Sequence, residues 1–163
     1  MNGRLLKRQL LAAAALLIAA AAALALLGQP GTSLVLTDAK SGTVYGKFPL
    51  PEERFSVTFI HSVNKSPVTD IYEVRNGEIY VVETDYYGFG AGVQTELNPG
   101  ETLTYGADGA MQIKHIDKLL PNLIYVVGTV SDHTLEIGGR QTSLRNLRGR
   151  NSSVRFTAER ELF

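Results

Sequence analysis

Residues 54–63 read Arg-Phe-Ser-Val-Thr-Phe-Ile-His-Ser-Val, and this stretch decides the class of fold. Phe55, Val57, Phe59 and His61 alternate with Ser56, Thr58, Ile60 and Ser62. That is a period of two in residue types that favour extended backbone, the mark of a strand with one buried face. Residues 68–74 predict its antiparallel return, and Asn76-Gly77 is a strong two-residue hairpin signal leading into a further strand over residues 78–84.

The same signals recur outward in both directions. Short extended stretches are expected at residues 34–36, 43–48, 111–116, 123–130, 134–137, 142–147 and 154–158, with one short helical turn at 119–121. Pro49, Pro51, Pro99-Gly100, Asp108-Gly109 and Gly138-Gly139 punctuate them. Short strands with turn signals about every 8–12 residues predict a mainly β fold, an antiparallel β-sandwich or small barrel. The predicted domain covers residues 29–163, after an N-terminal hydrophobic helix.

Leu10 to Leu27 is an unbroken apolar run, preceded by Arg4, Lys7 and Arg8 and ended by Gly28-Gln29-Pro30. A basic start, an apolar stretch and small residues near its end predict an export signal or a single transmembrane anchor over residues 1–28. Ala21-x-Ala23 and Ala23-x-Ala25 both suit a signal peptidase. A helix of this length spans about 27 Å at about 1.5 Å per residue, close to a bilayer core of about 30 Å. We read it as a retained anchor in preference to a cleaved signal. Either way the basic residues stay in the cytoplasm. The expected location is the cell membrane, by one N-terminal pass with an extracytoplasmic domain, or the periplasm after cleavage.

The chain is formally neutral and has no cysteine. This excludes a disulfide framework, a thiolate nucleophile, a cysteine-based zinc site and a bacterial lipoprotein, which needs a lipidated cysteine after its signal. Residues 29–139 carry a net −7 and residues 140–163 a net +4. An acidic body argues against nucleic acid as a partner. The basic tail suits either a solvated edge strand or anionic headgroups.

Two segments carry candidate recognition chemistry. If Asn64–Pro67 form the hairpin loop, His61 faces Asp70, with Tyr72 next along the same face. Directly opposed residues place their Cβ atoms about 5 Å apart, within reach of a hydrogen bond. A carboxylate beside an imidazole fixes its tautomer and raises its pKa. Ser62 adjoins His61 but points to the opposite face, so no Ser-His-Asp triad is expected. The second segment is the glycine-rich Tyr86-Tyr-Gly-Phe-Gly-Ala-Gly92. Its backbone amides could meet a carboxylate or phosphate, although its spacing is not that of a P-loop. The candidate ligand- or partner-binding residues are therefore His61, Ser62, Asp70, Tyr72, Gly88, Phe89, Gly90 and Gly92. His115 and His133 stand apart from any ligand-like spacing, so neither a metal site nor a cofactor is expected.

The combination of His61-Ser-Val63, Ser66-Pro67, Asp70 and Gly88-Phe-Gly-Ala-Gly92 resembles the bacterial family called domain of unknown function 1850. Leu120-Pro-Asn-Leu-Ile-Tyr-Val-Val-Gly128 and Asp132-His-Thr-Leu-Glu-Ile-Gly-Gly139 fit as well. The resemblance covers about residues 33–158, with Asp70 where many relatives carry Glu. It implies an exported or singly anchored protein encoded beside TAXI-type TRAP transporters. The expected role is thus an extracytoplasmic accessory or binding module for solute uptake. Its expected partners are a transporter component, a small anionic solute, and the membrane through Leu10–Leu27. The alternatives are a structural or assembly protein of the envelope with no small-molecule ligand, and an enzyme using His61 as a base.

Overall fold

The computed structural model describes residues 11–17, 30–63, 65–88 and 96–162. Residues 11–17 are helical, as the apolar run predicts; the rest of that run lies outside the described residues. Among the described residues no helix is long and apolar enough to cross a membrane. Residues Thr32–Arg160 form one compact unit, and it is a two-sheet antiparallel β-sandwich, as the alternation predicts.

The strands are β1 (Pro30–Asp38), β2 (Val44–Pro49), β3 (Arg54–Ile60), β4 (Pro67–Arg75), β5 (Glu78–Tyr86), β6 (Thr102–Tyr105), β7 (Met111–Leu119), β8 (Leu123–Val126), β9 (His133–Ile137), β10 (Arg140–Ser143) and β11 (Ser153–Leu162). One sheet has the order β2-β1-β11-β8, the other β10-β9-β3-β4-β5-β7-β6. The smaller sheet packs over the β9, β3, β4 part of the larger one. Leu34, Leu36, Val154 and Phe156 from the smaller sheet meet Phe55, Val57, Tyr72, Val74 and Leu135 from the larger. Phe55 stacks on Tyr72 at 4.8 Å and on Phe156 at 5.9 Å, joining the two layers. A second cluster, Val68, Tyr86, Met111 and Ile113, continues the larger sheet's buried face.

Several elements depart from expectation for local reasons. Strand β3 ends at Ile60, not Val63. The His61 N–H donates to the Ser66 carbonyl and the Lys65 N–H to the His61 carbonyl, 2.9 and 3.0 Å, so residues 61–66 form the loop. Pro67, which has no N–H, opens the return strand. Ile60 then pairs with Pro67 and Asp70 with Val57, so Asp70 is not opposite His61. The expected strand over 142–147 stops at Ser143, whose side chain accepts from the Asn146 N–H and caps a short helix, Leu144–Arg148. Strand β8 stops at Val126, and residue 119 belongs to β7 rather than to a helical turn. Strand β6 carries no buried residue and was not expected. The basic C-terminal strand β11 is no edge: it lies between β1 and β8.

Removing the aromatic that spans both layers tests this packing. Phe55→Ala should cost about 3–5 kcal/mol, read as a fall in the denaturant midpoint with an unchanged slope. A loss below about 1 kcal/mol would mean that the stack is not part of the core.

Candidate functional site

On β4 the inward phase reads Val68, Asp70, Tyr72, Val74; the three apolar members are buried and Asp70 is half-buried. A carboxylate on the core-facing side must have hydrogen-bond partners or it costs several kcal/mol. Its partners come from three strands. Thr84 Oγ1 on β5, the cross-strand neighbour of Asp70, donates to Oδ1 at 2.9 Å. Tyr125 Oη on β8, in the opposite sheet, donates to Oδ2 at 2.7 Å. Tyr72 Oη lies 3.4 Å from the same oxygen and shares a hydrogen bond with Tyr125 Oη. Burial, then the Asp70 charge, drives both tyrosine pKa values far above the ordinary phenol. These hydroxyls therefore stay protonated and act as hydrogen-bond donors held in place, not as phenolates.

Aromatic rings flank this cluster. Phe59 on β3 stacks on His133 on β9 at 5.3 Å, and the Tyr125 ring stands 5.3 Å from His133. His133 is only 9 % exposed, and its Nδ1 has no hydrogen-bond partner. Burial pushes its pKa down. Beside it, Asp132 gathers the connections of this end of the sandwich. It accepts from the His133 N–H (2.7 Å), the Arg145 N–H (3.0 Å) and the Ser143 hydroxyl. Burial opposes its ionisation, but those hydrogen bonds and the Arg145 charge outweigh burial and hold its carboxyl below its ordinary value. Arg145 Nη2 also reaches the Gly128 carbonyl at 3.2 Å. The loop after β8 is thereby fixed to the helix, and Ser131 Oγ fixes it to the end of β3 through the Ile60 carbonyl, 3.2 Å.

The candidate residues divide into two levels. Asp70 and Tyr72 lie between the sheets. His61 and Ser62 lie in the loop beyond β3, where His61 Nδ1 accepts from the Val63 N–H at 3.3 Å. Gly88 follows β5 at the same end, because Tyr86 pairs with Val68 at the start of β4. Phe89, Gly90 and Gly92 lie outside the described residues. His61, Ser62 and Gly88 thus share one end, while the expected His61–Asp70 pair does not form. Val63 and Val130, 63 % and 87 % exposed, stand in the loops of that end. Thr84, Tyr125 and His133 were missed. The signal available was Asp70 itself, in phase with Val68, Tyr72 and Val74; a carboxylate in an apolar phase requires donors from elsewhere. Among the described residues no group of three or more His, Asp or Glu is arranged to hold a metal. His115 lies on an exposed stretch of β7 against Thr102.

A family model, Domain of unknown function (DUF1850), matches residues 55–144, and the chain belongs to this family. The match runs from β3 to the first residue of the short helix, so it contains Asp70, Tyr72, Thr84, Tyr125, Asp132 and His133. No curated protein and no solved structure matches the chain.

Two outcomes follow from this geometry. Tyr125→Phe removes a donor to a charged acceptor and should cost about 1.5–3 kcal/mol, measured by denaturant unfolding; an unchanged midpoint would show that the carboxylate does not depend on it. Stability should also fall as pH drops below about 6.5, the ordinary histidine value. There the unfolded state binds a proton that neutral, buried His133 does not. Asp132 adds a second loss as pH falls below its unfolded value of about 4 and through its lowered folded one. His133→Phe should remove the first step and leave the second.

Proposed function

We propose that this family member is an extracytoplasmic binding module that assists a TRAP-type solute uptake system through the loop end of its sandwich. One observation carries the reading. The loops at 61–66 and 127–132 and the segment after β5 meet at one end, with Val63 and Val130 exposed, on a base made rigid by Asp132 and by the Asp70 cluster. Exposed apolar side chains on a fixed base are what a protein partner needs, since a few such anchors dominate most interfaces.

The two ends of the sandwich are distinct. Thr32 lies at the opposite end, where its carbonyl accepts from the Leu50 N–H and its hydroxyl meets Glu53. Strand β3 starts at Arg54 near that end and finishes at Ile60 beneath the loops. A soluble, extracytoplasmic transporter component is the partner that this reading expects. His61 and Ser62 supply polar contacts at the rim. The carboxylate of Asp70 is occupied by internal donors, so a small anionic solute is not expected to bind there.

A second reading has its own support. All three hydroxyl partners of Asp70 are internal, which suits a structural or assembly role in the envelope in which that motif serves the fold alone. The two readings separate on one experiment. The full-length chain, carrying Val130→Asp or Val63→Asp, is recovered from membranes with its bound proteins. The binding reading expects the transporter component to co-purify with the unmodified chain. It expects at least about a tenfold loss with either variant, an unchanged melting temperature, and slower uptake in cells. Recovery of no transporter component, together with uptake unaffected by deletion of the gene, would leave the structural reading.

A further inference from the structure

The outer face of the seven-stranded sheet carries a feature separate from the loop end. Along β5, Val81 pairs with Tyr72 and Glu83 with Ile71, so Val82 has no partner on β4. On the other side Val81 pairs with Lys118 and Glu83 with Lys114, so Val82 faces the three residues His115, Ile116 and Asp117. Two irregularities coincide at one residue. The excursion on β7 holds φ at 61° in His115 and 49° in Asp117, a left-handed backbone uncommon for residues other than glycine. Bulges re-aim side chains and are frequent beside binding sites. Here they border a groove of about 710 Å³ that both Val82 and the excursion line. Small-ligand sites commonly measure about 300–1,000 Å³.

The groove is charge-balanced. Arg54, Arg75 and Lys114 face Glu73, Glu83 and Asp117. Arg75 is committed: its Nη2 and Nε donate to Glu73 at 2.8 and 3.2 Å, its Nη1 to Asp117, and its guanidinium lies over the Tyr80 ring. Arg54 and Lys114 are not. Arg54 stands 3.7 Å from both Glu73 and Glu83, and Lys114 3.5 Å from Glu83. These are ion pairs at or beyond the outer limit of a directional hydrogen bond. Two cations with donors to spare therefore flank one carboxylate, Glu83, which is only 15 % exposed.

We propose that this groove binds a small zwitterion of the α-amino-acid type, with its carboxylate between Arg54 and Lys114 and its ammonium on Glu83. A ligand of one sign would meet opposed charges of both signs. A net-neutral ligand with separated charges satisfies both. The proposal does not rest on the loop-end reading, because its residues lie on a different face.

Backbone amide NMR of the full chain in detergent tests it. The protein is titrated with the standard L-amino acids, with succinate as an anion control and putrescine as a cation control. At about 10 mM, enough to reveal affinities weaker than about 1 mM, at least one amino acid should give saturable shifts at Val82, Glu83 and Lys114. Both controls should give none. Arg54→Gln and Glu83→Gln should each weaken that binding at least about tenfold. Arg54 is 46 % exposed, so its replacement should leave the fold unchanged. The proposal is overturned if no amino acid shifts these amides, if succinate shifts them equally, or if Arg54→Gln binds as before.

Discussion

A carboxylate inside a β-sandwich constrains everything around it. Asp70 projects from β4 toward the opposite sheet, where an unmatched charge would be costly. Its oxygens are met by Thr84 from the next strand and Tyr125 from the facing sheet. That requirement pins two registers at once. A slip of β4 against β5 by one residue would turn Thr84 to the outer face. A slip of β8 against β11 would do the same to Tyr125, because alternate residues point to opposite sides of a strand. Apolar packing alone tolerates approximate fits; a carboxylate with defined donors does not. The stack of Phe55 between Tyr72 and Phe156 then supplies the area, and the Asp70 cluster supplies the alignment.

The loop end repeats this logic at smaller scale. Asp132 accepts from Ser143, Arg145 and His133, joining the loop after β8 to the helix and to β9. Ser143 meanwhile caps the helix by accepting from the Asn146 N–H, 2.9 Å. Loops are normally the mobile part of a sandwich. Here a half-buried acid ties the loop that carries Val130 to the helix, and an exposed apolar side chain is useful for recognition only when it costs little entropy to hold.

Much of this fold was legible because alternation reports the buried face directly. Phe55 and Val57 are core residues as the pattern predicts. Asn76-Gly77 turns as expected, with φ of 55° and 83°, the positive values that a tight hairpin demands. The family resemblance, carried by the segments around His61 and Asp132, agrees with the match over residues 55–144. Register was less legible. Loop length decides it, and local bonds decide loop length: the Ser66 carbonyl accepting from the His61 N–H lengthened the loop and moved Asp70 from His61 to Val57. Ser143 reads equally well as a strand residue or as a helix cap until its neighbours are placed. Tyr125 carries no local mark, since its role depends on a carboxylate 55 positions away.

Charge placement bears on which surface can meet a partner. The C-terminal arginines looked available for anionic headgroups, yet several are engaged within the domain. Arg145 reaches the Gly128 carbonyl, Arg155 the Ala39 carbonyl, and Arg148 pairs with Asp38 while lying over the Tyr45 ring. Asp38 is itself held ionised, first by the Tyr45 hydroxyl and then by the Ser41 and Lys40 amides, its carboxyl well below the usual range. These arginines of the basic tail are thus engaged within the domain, one with an acid and two with backbone carbonyls. The two proposed recognition features are those whose valences are not already filled: the apolar rim at the loop end, and the loosely paired cations beside Glu83 on the outer sheet. Both lie where a strand stops or bulges, because an unbroken ladder leaves its backbone satisfied and its side chains in regular rows, with no concavity for a partner to enter.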